Sequence, residues 1–369
     1  MTDFTLSDEQ NNARKAFLKW FRSGPGRKPF FYLAGYAGTG KTTIAKSIAR
    51  SISGDVLFAA FTGKAAVVMR TKGCENASTI HSLIYKSEED DNGIITYSLN
   101  FDSPLQEADL IIIDECSMVG EELGKDLLRF NTPVLVLGDP AQLPPVGGEG
   151  FFTSGEPDFL LTEIHRQAES NPIIAMSMAV RHEMTIPFGW YGESRIVRAE
   201  DFDSNEMTDF DQVICGTNKT RMWKNQQIRK LRGFDDAIPM LGERLVCLKN
   251  DRKYGLLNGG LWDVIAMKKR YANATSLVVE PVDEGIKKNP VQVYVHDLFW
   301  EGKEQELDWR ERKRFNEFTY GYALSCHKAQ GSQWDNLLVF DESNVFREEK
   351  FRWLYTAITR AAEKVTVVV

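Results

Sequence analysis

Short runs of apolar, often β-branched residues recur along the first half of the chain and alternate with stretches of helical periodicity. The runs cover residues 30–34, 55–61, 108–113 and 133–137. Because they are almost continuously hydrophobic, they predict strands that are buried on both faces, as in a parallel sheet covered by helices. The pattern therefore predicts an α/β domain over residues 1–160.

The same pattern returns in the second half of the chain. Runs 212–216, 337–340 and 365–369 predict further buried strands, and hence a second α/β domain built from residues 161–245 and 316–369. Between them, residues 246–315 alternate in polarity and contain the turn signal Asn258-Gly259-Gly260, which predicts a β-rich antiparallel insertion. A shorter excursion over residues 86–105 begins with an acidic, turn-prone segment and predicts a hairpin insertion in the first domain.

Length and charge limit the class of protein without identifying it. The chain has 369 residues, 43% of them hydrophobic, and a formal net charge of −7. It is long enough for two or three domains with their own cores. The acidic balance does not favour a nucleic-acid partner, although a groove on an acidic protein can still be basic.

The cysteines and the apolar segments indicate the compartment. The chain has five cysteines, none spaced as C-x-x-C, at positions 74, 116, 215, 247 and 326. This usage predicts reduced, buried thiols in a cytosolic protein rather than a disulfide framework or a zinc site. The polar N-terminal segment does not resemble a secretory signal, and no apolar stretch approaches membrane-spanning length. We therefore expect a cytoplasmic protein with no membrane partner.

The segment from Gly35 to Thr42 reads G-x-x-x-x-G-K-T, the pattern of a phosphate-binding loop. It follows the predicted strand 30–34 and precedes the helical pattern 43–49, which is the context that this loop requires. Its glycines let backbone N–H groups point at phosphate oxygens, and the start of the helix adds a positive dipole end. Lys41 is predicted to hold the β- and γ-phosphates and Thr42 to ligate Mg²⁺. The alternative is a glycine-rich turn that matches the pattern by chance. Such a turn would need neither a strand before it nor a helix after it.

Two further strand ends carry candidate catalytic side chains. Asp114 and Glu115 end the run 108–113. Asp114 is predicted to hold Mg²⁺, and Glu115 to orient and deprotonate the attacking water. Gln142 lies in the proline-rich segment 138–145 after the next strand, where its amide could contact the γ-phosphate or the water. Two adjacent carboxylates with different tasks favour hydrolysis over transfer to a bound acceptor.

Arg166 and Arg360 are candidates to reach the γ-phosphate. Each follows an apolar pattern in the predicted second domain. An arginine in this role stabilises the charge of the phosphoryl-transfer transition state. The alternative for either residue is a surface ion pair.

Taken in order, these segments resemble the motifs of superfamily 1 DNA helicases. The matching segments are 6–10, 35–42, 61–66, 78–81, 114–115, 138–145, Arg166, 323–333 and 355–360. They span nearly the whole chain. Thr79-Ile80-His81, the segment 327–331, Asn258-Gly259 and the small size of both insertions are most similar to the RecD-like branch.

The resemblance implies two tandem RecA-like domains with ATP between them, and translocation from 5′ to 3′ on single-stranded DNA. It implies that the hairpin is a pin that parts the duplex and that the β-rich insertion is SH3-like. The nucleotide-binding residues that it implies are Gln10 (reading adenine), Gly35, Ala37, Gly38, Thr39, Gly40, Lys41, Thr42, Thr43, Gln142, Gly331, Arg166 and Arg360. The DNA-binding residues that it implies are Thr62, Gly63, Lys64, Thr79, His81, Tyr97, Phe101, Asn218, Arg221, Asn258, Ser325, His327 and Lys328.

Some interpretations stay open on sequence alone. Trp223 could stack on DNA bases or be buried in the core, and Tyr97 and Phe101 could stack or pack. The segment 310–314 is expected to be a solvated helix face. The main hypothesis is a monomeric ATP-driven helicase acting on single strands and junctions, with replication or recombination proteins as possible partners. The alternatives are a non-unwinding ATPase subunit of a nuclease or replication complex, and a small-molecule kinase, which leaves residues after 160 unexplained.

Overall fold

The computed structural model describes residues 6–24, 26–89, 95–145, 148–164, 171–251, 253–282 and 289–369. The chain divides into two compact units, residues 1–175 and 176–369.

Unit 1 is an α/β unit. Its strands are β1 (Phe30–Gly35), β2 (Val56–Ala60), β3 (Ser78–Thr79), β4 (Tyr85–Glu89), β5 (Ile95–Leu99), β6 (Leu110–Asp114), β7 (Val134–Gly138) and β8 (Phe159–Leu161). Its described helices are α1 (Asp8–Arg22), α2 (Lys41–Ala49), α3 (Gly63–Thr71), α4 (Ile80–Ile84) and α5 (Glu121–Leu128), and α6 (Pro172–Arg181) spans the division between the units.

Six strands of unit 1 form one parallel sheet in the order β3-β2-β6-β7-β1-β8. The central strands β6 and β7 are buried along almost their whole length, and Leu33, Ile112 and Leu135 are fully buried. Helices cover both faces, so these strands have no polar face to expose. The parallel sheet predicted from continuous hydrophobic runs is confirmed.

The register of this sheet places several strand ends together. Ala34 pairs with Gly138, and Ala60 pairs with both Asp114 and Thr79. Because all these strands run in the same direction, the segments that follow β1, β7, β6, β2 and β3 leave from one edge of the sheet. That edge carries most of the candidate residues of unit 1.

Helix α1 begins with a capping box. The hydroxyl of Ser7 accepts from the Gln10 N–H (3.3 Å), and Gln10 Oε1 accepts from the Ser7 N–H (3.1 Å). Asp8 and Glu9 lie in the first turn, where the helix dipole favours negative charge. Ala13 and Phe17 are fully buried and pack the helix against the sheet.

The short excursion of unit 1 contains an antiparallel hairpin of β4 and β5, in which Ser87 pairs with Tyr97. Tyr97 is 71% exposed and Phe101, beyond the hairpin, is 51% exposed. The ring of Phe101 lies 5.3 Å from that of Phe130. Phe101 therefore makes a packing contact, and stacking of Tyr97 on DNA stays a prediction.

Unit 2 is also an α/β unit, with a second sheet inserted. Its strands are β9 (Gly189–Tyr191), β10 (Ser194–Val197), β11 (Gln212–Cys215), β12 (Arg244–Cys247), β13 (Leu261–Arg270), β14 (Ala274–Pro281), β15 (Val291–His296), β16 (Phe318–Tyr320), β17 (Ala323–Ser325), β18 (Trp334–Phe340) and β19 (Ala361–Val368). Its other described helices are α7 (Asn218–Leu231), α8 (Leu298–Glu301), α9 (Trp309–Arg312), α10 (Cys326–Ala329) and α11 (Lys350–Ile358).

The main sheet of unit 2 has the order β17-β11-β18-β19-β10-β9. All its pairs are parallel except β9 with β10. The three strands predicted in this half of the chain are confirmed. The fold class is therefore two tandem α/β units, as the sequence predicts.

The insertion of unit 2 is a five-stranded antiparallel sheet in the order β15-β14-β13-β12-β16. Its core includes Trp262, Leu277 and Phe318, which are almost fully buried. The antiparallel character of the predicted insertion is confirmed, although β12 and β16 reach beyond residues 246–315. The assignment of this sheet as SH3-like stays a prediction.

A buried ion pair joins α7 to the start of the insertion. Arg229 Nε donates to Glu243 Oε1 at 2.6 Å, and the two side chains are 2% and 0% exposed. The guanidinium also lies 4.1 Å from the ring of Tyr320 and donates to the carbonyl of Ile238. With its polar atoms satisfied in this way, the pair fixes the helix against the inserted sheet.

The described residues agree with the predicted thiol chemistry. All five cysteines are free and buried, and burial raises the pKa of Cys215, Cys247 and Cys326 to about 12. None of the helices described here is long and apolar enough to cross a membrane.

Candidate nucleotide site and nucleic-acid interface

The loop between β1 and α2 has the backbone that a phosphate-binding loop needs. Gly38 and Gly40 have φ values of 80° and 77°, a region that other residues rarely adopt. A Cβ atom on Gly35 would lie 2.6 Å from the hydroxyl oxygen of Thr39. Helix α2 begins directly after Gly40, so its N-terminal N–H groups face the space above the loop.

Lys41 is held across this loop. Its ammonium donates to the carbonyls of Gly35 (2.5 Å) and Tyr36 (3.0 Å). The Thr39 hydroxyl donates to the same Tyr36 carbonyl at 2.9 Å. The positive charge is therefore positioned at the mouth of the loop by backbone atoms.

Gln10, which the resemblance predicts to contact adenine, forms side-chain hydrogen bonds to other residues of the protein. Its side chain is 2% exposed. In addition to accepting from Ser7, it donates from Nε2 to the carbonyl of Thr39 at 3.1 Å. The amide thus joins the cap of α1 to the phosphate-binding loop.

Asp114 and Glu115 lie at the end of β6. Burial, together with the neighbouring Glu115 carboxylate, raises the pKa of Asp114, and the Glu115 N–H donates to Asp114 Oδ1 at 2.9 Å. Glu115 has a φ of 54°, which turns the chain sharply at this point. A buried carboxylate of this kind is stabilised by a cation, which suits a ligand of Mg²⁺.

Gln142 lies in the loop after β7, beside the strand that precedes the phosphate-binding loop. Its side chain is buried, and its backbone N–H donates to the Asp139 carbonyl at 3.1 Å. A Cβ atom on Gly138 would lie 2.7 Å from Cys116 Sγ. Glycine at this position therefore allows the segment after Glu115 to pack closely against the end of β7.

The residues of this loop and of the neighbouring strand ends fit a nucleoside triphosphate with Mg²⁺. The loop supplies N–H groups and a cation, and Thr42 and Asp114 supply oxygen ligands of the kind that Mg²⁺ prefers. In the described part of the chain, no group of three or more His, Cys, Asp or Glu side chains could hold a metal.

Of the two candidate arginines, only Arg360 is described. It lies between α11 and β19, is 4% exposed, and donates to the carbonyls of Thr356 (3.2 Å) and Ser332 (3.5 Å). Ser332 follows Gly331, whose φ is 76°. Arg360 and Gly331 are therefore neighbours within unit 2, whereas Arg166 lies outside the described residues.

Hydroxyl groups begin the two helices that leave the same sheet edge in unit 1. Thr62 Oγ1 accepts from the Ala65 N–H at the start of α3, and Thr79 Oγ1 accepts from the Ser82 N–H at the start of α4, each at 3.1 Å. Each hydroxyl keeps its own hydrogen for an acceptor such as a phosphate oxygen. Gly63 and Lys64, in the first turn of α3, are buried.

Unit 2 repeats the strand pairing, although the Ser325 side chain makes no cap hydrogen bond of the kind that Thr79 makes. In unit 1, Ala60 of β2 pairs with Thr79, and in unit 2 Cys215 of β11 pairs with Ser325. Each pair lies where an edge strand, β3 or β17, ends beside its neighbouring strand, and Thr79 or Ser325 is the N-cap residue of the short helix that follows. A histidine stands two residues after Thr79 and two after Ser325. Burial lowers the pKa of both His81 and His327, which favours the neutral form of each ring.

A basic cluster lies next to Ser325. Arg221 on α7 is 8% exposed, and its Nε donates to Asn218 Oδ1 at 3.3 Å. Burial lowers the pKa of Arg221, and burial together with the charge of Arg221 lowers that of Lys328. No ion pair to Arg221 or Lys328 occurs within the described ranges. Two close cations of this kind suit an anionic ligand.

Two side chains that sequence reasoning missed hold α7 in place. Asn225 pairs with Ala323 by donating to its carbonyl (2.9 Å) and accepting from its N–H (3.0 Å). Glu342 accepts from the N–H groups of Gly216 (2.6 Å) and Thr217 (3.0 Å) at the start of the helix. Neither residue stands in a recognisable motif, so no signal in the sequence would have found them.

The remaining candidates lie around this cluster or on α7. The turn at Asn258 and Gly259 approaches Lys328, because a Cβ atom on Gly259 would lie 4.0 Å from the Lys328 carbonyl oxygen. Trp223 is 56% exposed, so the interpretation of Trp223 as a core residue is wrong and its stacking on DNA stays a prediction. The segment 310–314 includes the end of α9, which buries no residue.

Replacing Arg221 with alanine should weaken binding of single-stranded oligo(dT) roughly tenfold at moderate salt, because a phosphate would lose a preformed cation. The plot of log affinity against log salt should become shallower by about 0.7, the value for one phosphate contact on a single strand. Lys230→Ala, on an exposed position of the same helix, is the control and should change neither quantity. An unchanged slope in Arg221→Ala would exclude a phosphate contact at this residue.

Comparison with known families supports the motif assignment. The model of an AAA domain matches residues 5–201, more than half of the chain. A UvrD-like helicase C-terminal domain matches residues 320–368.

Two curated relatives are similar over long stretches. The ATP-dependent RecD2 DNA helicase of Deinococcus radiodurans is 28% identical over 368 residues, covering 90% of this chain and 46% of that protein. The ATP-dependent DNA helicase dda of Enterobacteria phage T4 is 30% identical over 275 residues, covering 67% of this chain and 62% of that protein. The chain thus spans about half to three fifths of the length of these relatives.

Solved structures of Pif1 helicases share the fold. A Pif1 structure described as two coordinating helicases at forked double-stranded DNA aligns with a TM-score of 0.61 at 19% identity, covering 99% of this chain and 92% of that one. Pif1 from Candida albicans aligns with a TM-score of 0.59 at 20% identity, covering 99% and 94%. The chain belongs to the AAA domain family, and its relatives and fold confirm the resemblance to superfamily 1 helicases of the RecD-like branch.

Proposed function

We propose that the protein is an ATP-driven DNA helicase that moves 5′ to 3′ along single-stranded DNA and separates duplex DNA at a pin. One observation carries this proposal: a single sheet edge in unit 1 presents both the phosphate-binding loop with its carboxylates and the hydroxyl-capped helices α3 and α4. Asp114 and Thr79 pair with the same residue, Ala60. A nucleotide and a DNA backbone bound at this edge would therefore contact the ends of neighbouring β-strands of one sheet.

The proposed hydrolysis assigns one task to each side chain. Lys41 holds the β- and γ-phosphates, and Thr42 and Asp114 hold Mg²⁺, which when bound neutralises charge on the phosphate oxygens. The carboxylate of Glu115 accepts a proton from the attacking water, and Gln142 orients that water. Arg360 and Arg166 supply positive charge to the γ-phosphate, an effect of about 10³–10⁵ in rate in enzymes that use one.

The proposed movement uses the repeated element of the two units. Thr62, Thr79 and His81 contact the DNA backbone in unit 1, and Ser325, His327, Lys328 and Arg221 do so in unit 2. Binding and hydrolysis of the γ-phosphate would alter the DNA contacts of unit 1 and of unit 2 in turn. This alternation would produce directional steps along the strand. Neutral histidines suit this task, because they hydrogen-bond to the strand without adding a fixed charge.

A second candidate function is an ATPase subunit that moves or switches within a nuclease or replication complex without unwinding DNA itself. The short hairpin favours it, because β4 and β5 have only five residues each. In the first candidate Tyr97, the exposed aromatic residue of β5, stacks on the first unpaired base. In the second, this contact is not needed.

Duplexes with either a 5′ or a 3′ single-stranded overhang distinguish these functions. We expect the purified protein with ATP to unwind the 5′-tailed duplex at least about tenfold faster, because the proposed polarity brings the pin to the junction only from that side. The measurement is strand displacement in a gel or by fluorescence, with a blunt duplex as control. Faster unwinding of the 3′-tailed duplex would overturn the polarity, and DNA-stimulated ATPase without unwinding would favour the second function.

A further inference from the structure

A buried hydroxyl group in unit 1 has no hydrogen-bond partner among the described residues. Tyr32 lies on β1, the strand that leads into the phosphate-binding loop, and its side chain is 2% exposed. Its Oη atom forms no hydrogen bond with any residue that the structure describes. Burial of a hydroxyl without a partner is unfavourable, and phenylalanine would fill the same space without that cost. A hydroxyl at this position therefore calls for an explanation in the working protein.

The Tyr32 hydroxyl lies where segments of the proposed catalytic site meet. A Cβ atom on Gly138 would lie 3.4 Å from Tyr32 Oη and 2.7 Å from Cys116 Sγ. Gly138 ends β7 and precedes the loop that carries Gln142, and Cys116 directly follows Glu115. The hydroxyl is therefore next to both segments whose side chains are proposed to act on the attacking water.

The carboxylate of Asp139, the residue after Gly138, is the candidate acceptor for this hydroxyl. Its side chain is buried, and its Oδ1 accepts from the Ala141 N–H at 3.0 Å. Burial raises the pKa of Tyr32 well above its ordinary value, and the charges of Cys116 and Asp139 add to the rise, which agrees with a carboxylate close to the ring. A carboxylate has acceptor sites for more than one donor. Asp139 can therefore accept from Tyr32 Oη while it keeps its bond to Ala141.

Asp139 and Gln142 belong to one short turn. The Gln142 N–H donates to the Asp139 carbonyl at 3.1 Å, so a movement of Asp139 is passed on to Gln142. A hydrogen bond that forms only after the turn has closed on its ligand stabilises the closed state relative to the open one. Such a bond acts on the chemical step rather than on ground-state binding.

We infer that Tyr32 is a positioning residue for ATP hydrolysis. Its hydroxyl donates to the Asp139 carboxylate as the turn 139–142 closes on the γ-phosphate under attack, and this bond holds Gln142 against the attacking water. The inference rests on the proposed function, which assigns that water to Gln142. It adds a side chain that touches neither the nucleotide nor the water.

Tyr32→Phe tests this role in the purified full chain. We expect single-turnover hydrolysis of ATP to fall about tenfold, because a hydrogen bond to a charged group is lost in the reacting state. By calorimetry, binding of AMP-PNP with Mg²⁺ should stay within about twofold of normal. Binding of ADP with Mg²⁺ and aluminium fluoride, a mimic of the phosphoryl group in transfer, should weaken about tenfold. This split is the pattern of an interaction made only in the transition state.

Thermal melting without nucleotide separates this role from a structural one. Because Tyr32 Oη is unpaired in this state, Tyr32→Phe should melt at the same temperature as the unmodified protein or higher. Tyr320→Phe is the matched control, because Tyr320 is equally buried but its hydroxyl already donates to the Ala237 carbonyl at 3.3 Å. We expect that variant to melt at a lower temperature and to hydrolyse ATP at the normal rate.

A double-mutant cycle tests the assigned partner. Asp139→Asn keeps an oxygen for the Ala141 N–H but makes the bond from Tyr32 neutral and weaker. In this background Tyr32→Phe should lower the rate less than about threefold, instead of tenfold. A tenfold loss that persists in Asp139→Asn would overturn the assignment of Asp139 as the acceptor.

Three other results would overturn the inference. They are a hydrolysis rate of Tyr32→Phe within about twofold of normal, equal weakening of AMP-PNP and of ADP with aluminium fluoride, and a lower melting temperature or loss of folding without nucleotide. The last result would mean that the hydroxyl already has a partner, such as a buried water molecule. Failure of the proposed function looks different, because the unmodified protein would then hydrolyse no ATP, and the inference would be lost with it.

Discussion

Replacing Lys41 with alanine should reduce ATP hydrolysis by about 10³-fold or more, because the substitution removes the only cation that the loop itself holds over the phosphates. The carbonyls of Gly35 and Tyr36 already hold the ammonium at the loop, so we expect it to stabilise charge that develops on the phosphates with little reorganisation. The shorter side chain leaves the loop without that charge. The measurement is phosphate release with saturating single-stranded DNA.

A matched control for this experiment is Lys125→Ala. Lys125 is exposed on α5 and pairs with Glu121 one turn away, so its loss should leave hydrolysis unchanged. Near-normal, DNA-stimulated hydrolysis by Lys41→Ala would mean that the loop is not the catalytic phosphate site, and the proposed function would fail with it.

Replacing Glu115 with glutamine should leave ATP binding within about threefold of normal and lower the hydrolysis rate by about 10²–10⁴, the usual contribution of a general base. Glutamine keeps the size of the side chain and the backbone turn at φ 54°, but it cannot take a proton from water. Binding of AMP-PNP by calorimetry and hydrolysis in a single turnover separate the two effects.

Glu121→Gln, a surface change of the same kind on α5, controls for the loss of one charge and should behave as the unmodified protein. If Glu115→Gln also loses nucleotide binding, Glu115 contributes to Mg²⁺ coordination rather than acting as the base. If it hydrolyses ATP at a near-normal rate, another residue accepts the proton.

The central strands and the phosphate-binding loop could be predicted from sequence because their signals are local. The run 110–113 is hydrophobic throughout, a composition that is typical of a strand buried on both faces. The glycines of the loop are required by the left-handed backbone at Gly38 and Gly40. Short strands such as β8 and β9, with three residues each, were missed because they are too short to show a period.

The contacts that support the candidate site were harder to predict because they join distant parts of the chain. Glu342 accepts from Thr217, the cap residue of α7, which stands 125 residues earlier in the sequence, and the link from Gln10 to the Thr39 carbonyl spans 29 residues. The exposure of Trp223 could not be predicted from the neighbouring residues. Their alternation of basic and apolar side chains is compatible with Trp223 on either the exposed or the buried face of the helix. Such features depend on which surfaces meet in three dimensions.

The buried pair of Arg229 and Glu243 has a consequence for how this chain could diverge. A descendant that lost the five-stranded insertion together with Glu243 would leave a guanidinium uncompensated in an apolar interior, a change that costs about 3–5 kcal/mol. Loss of the insertion is therefore tolerable only alongside an apolar replacement at Arg229. The two positions should vary together among descendants, so that Arg229 marks the presence of the inserted sheet.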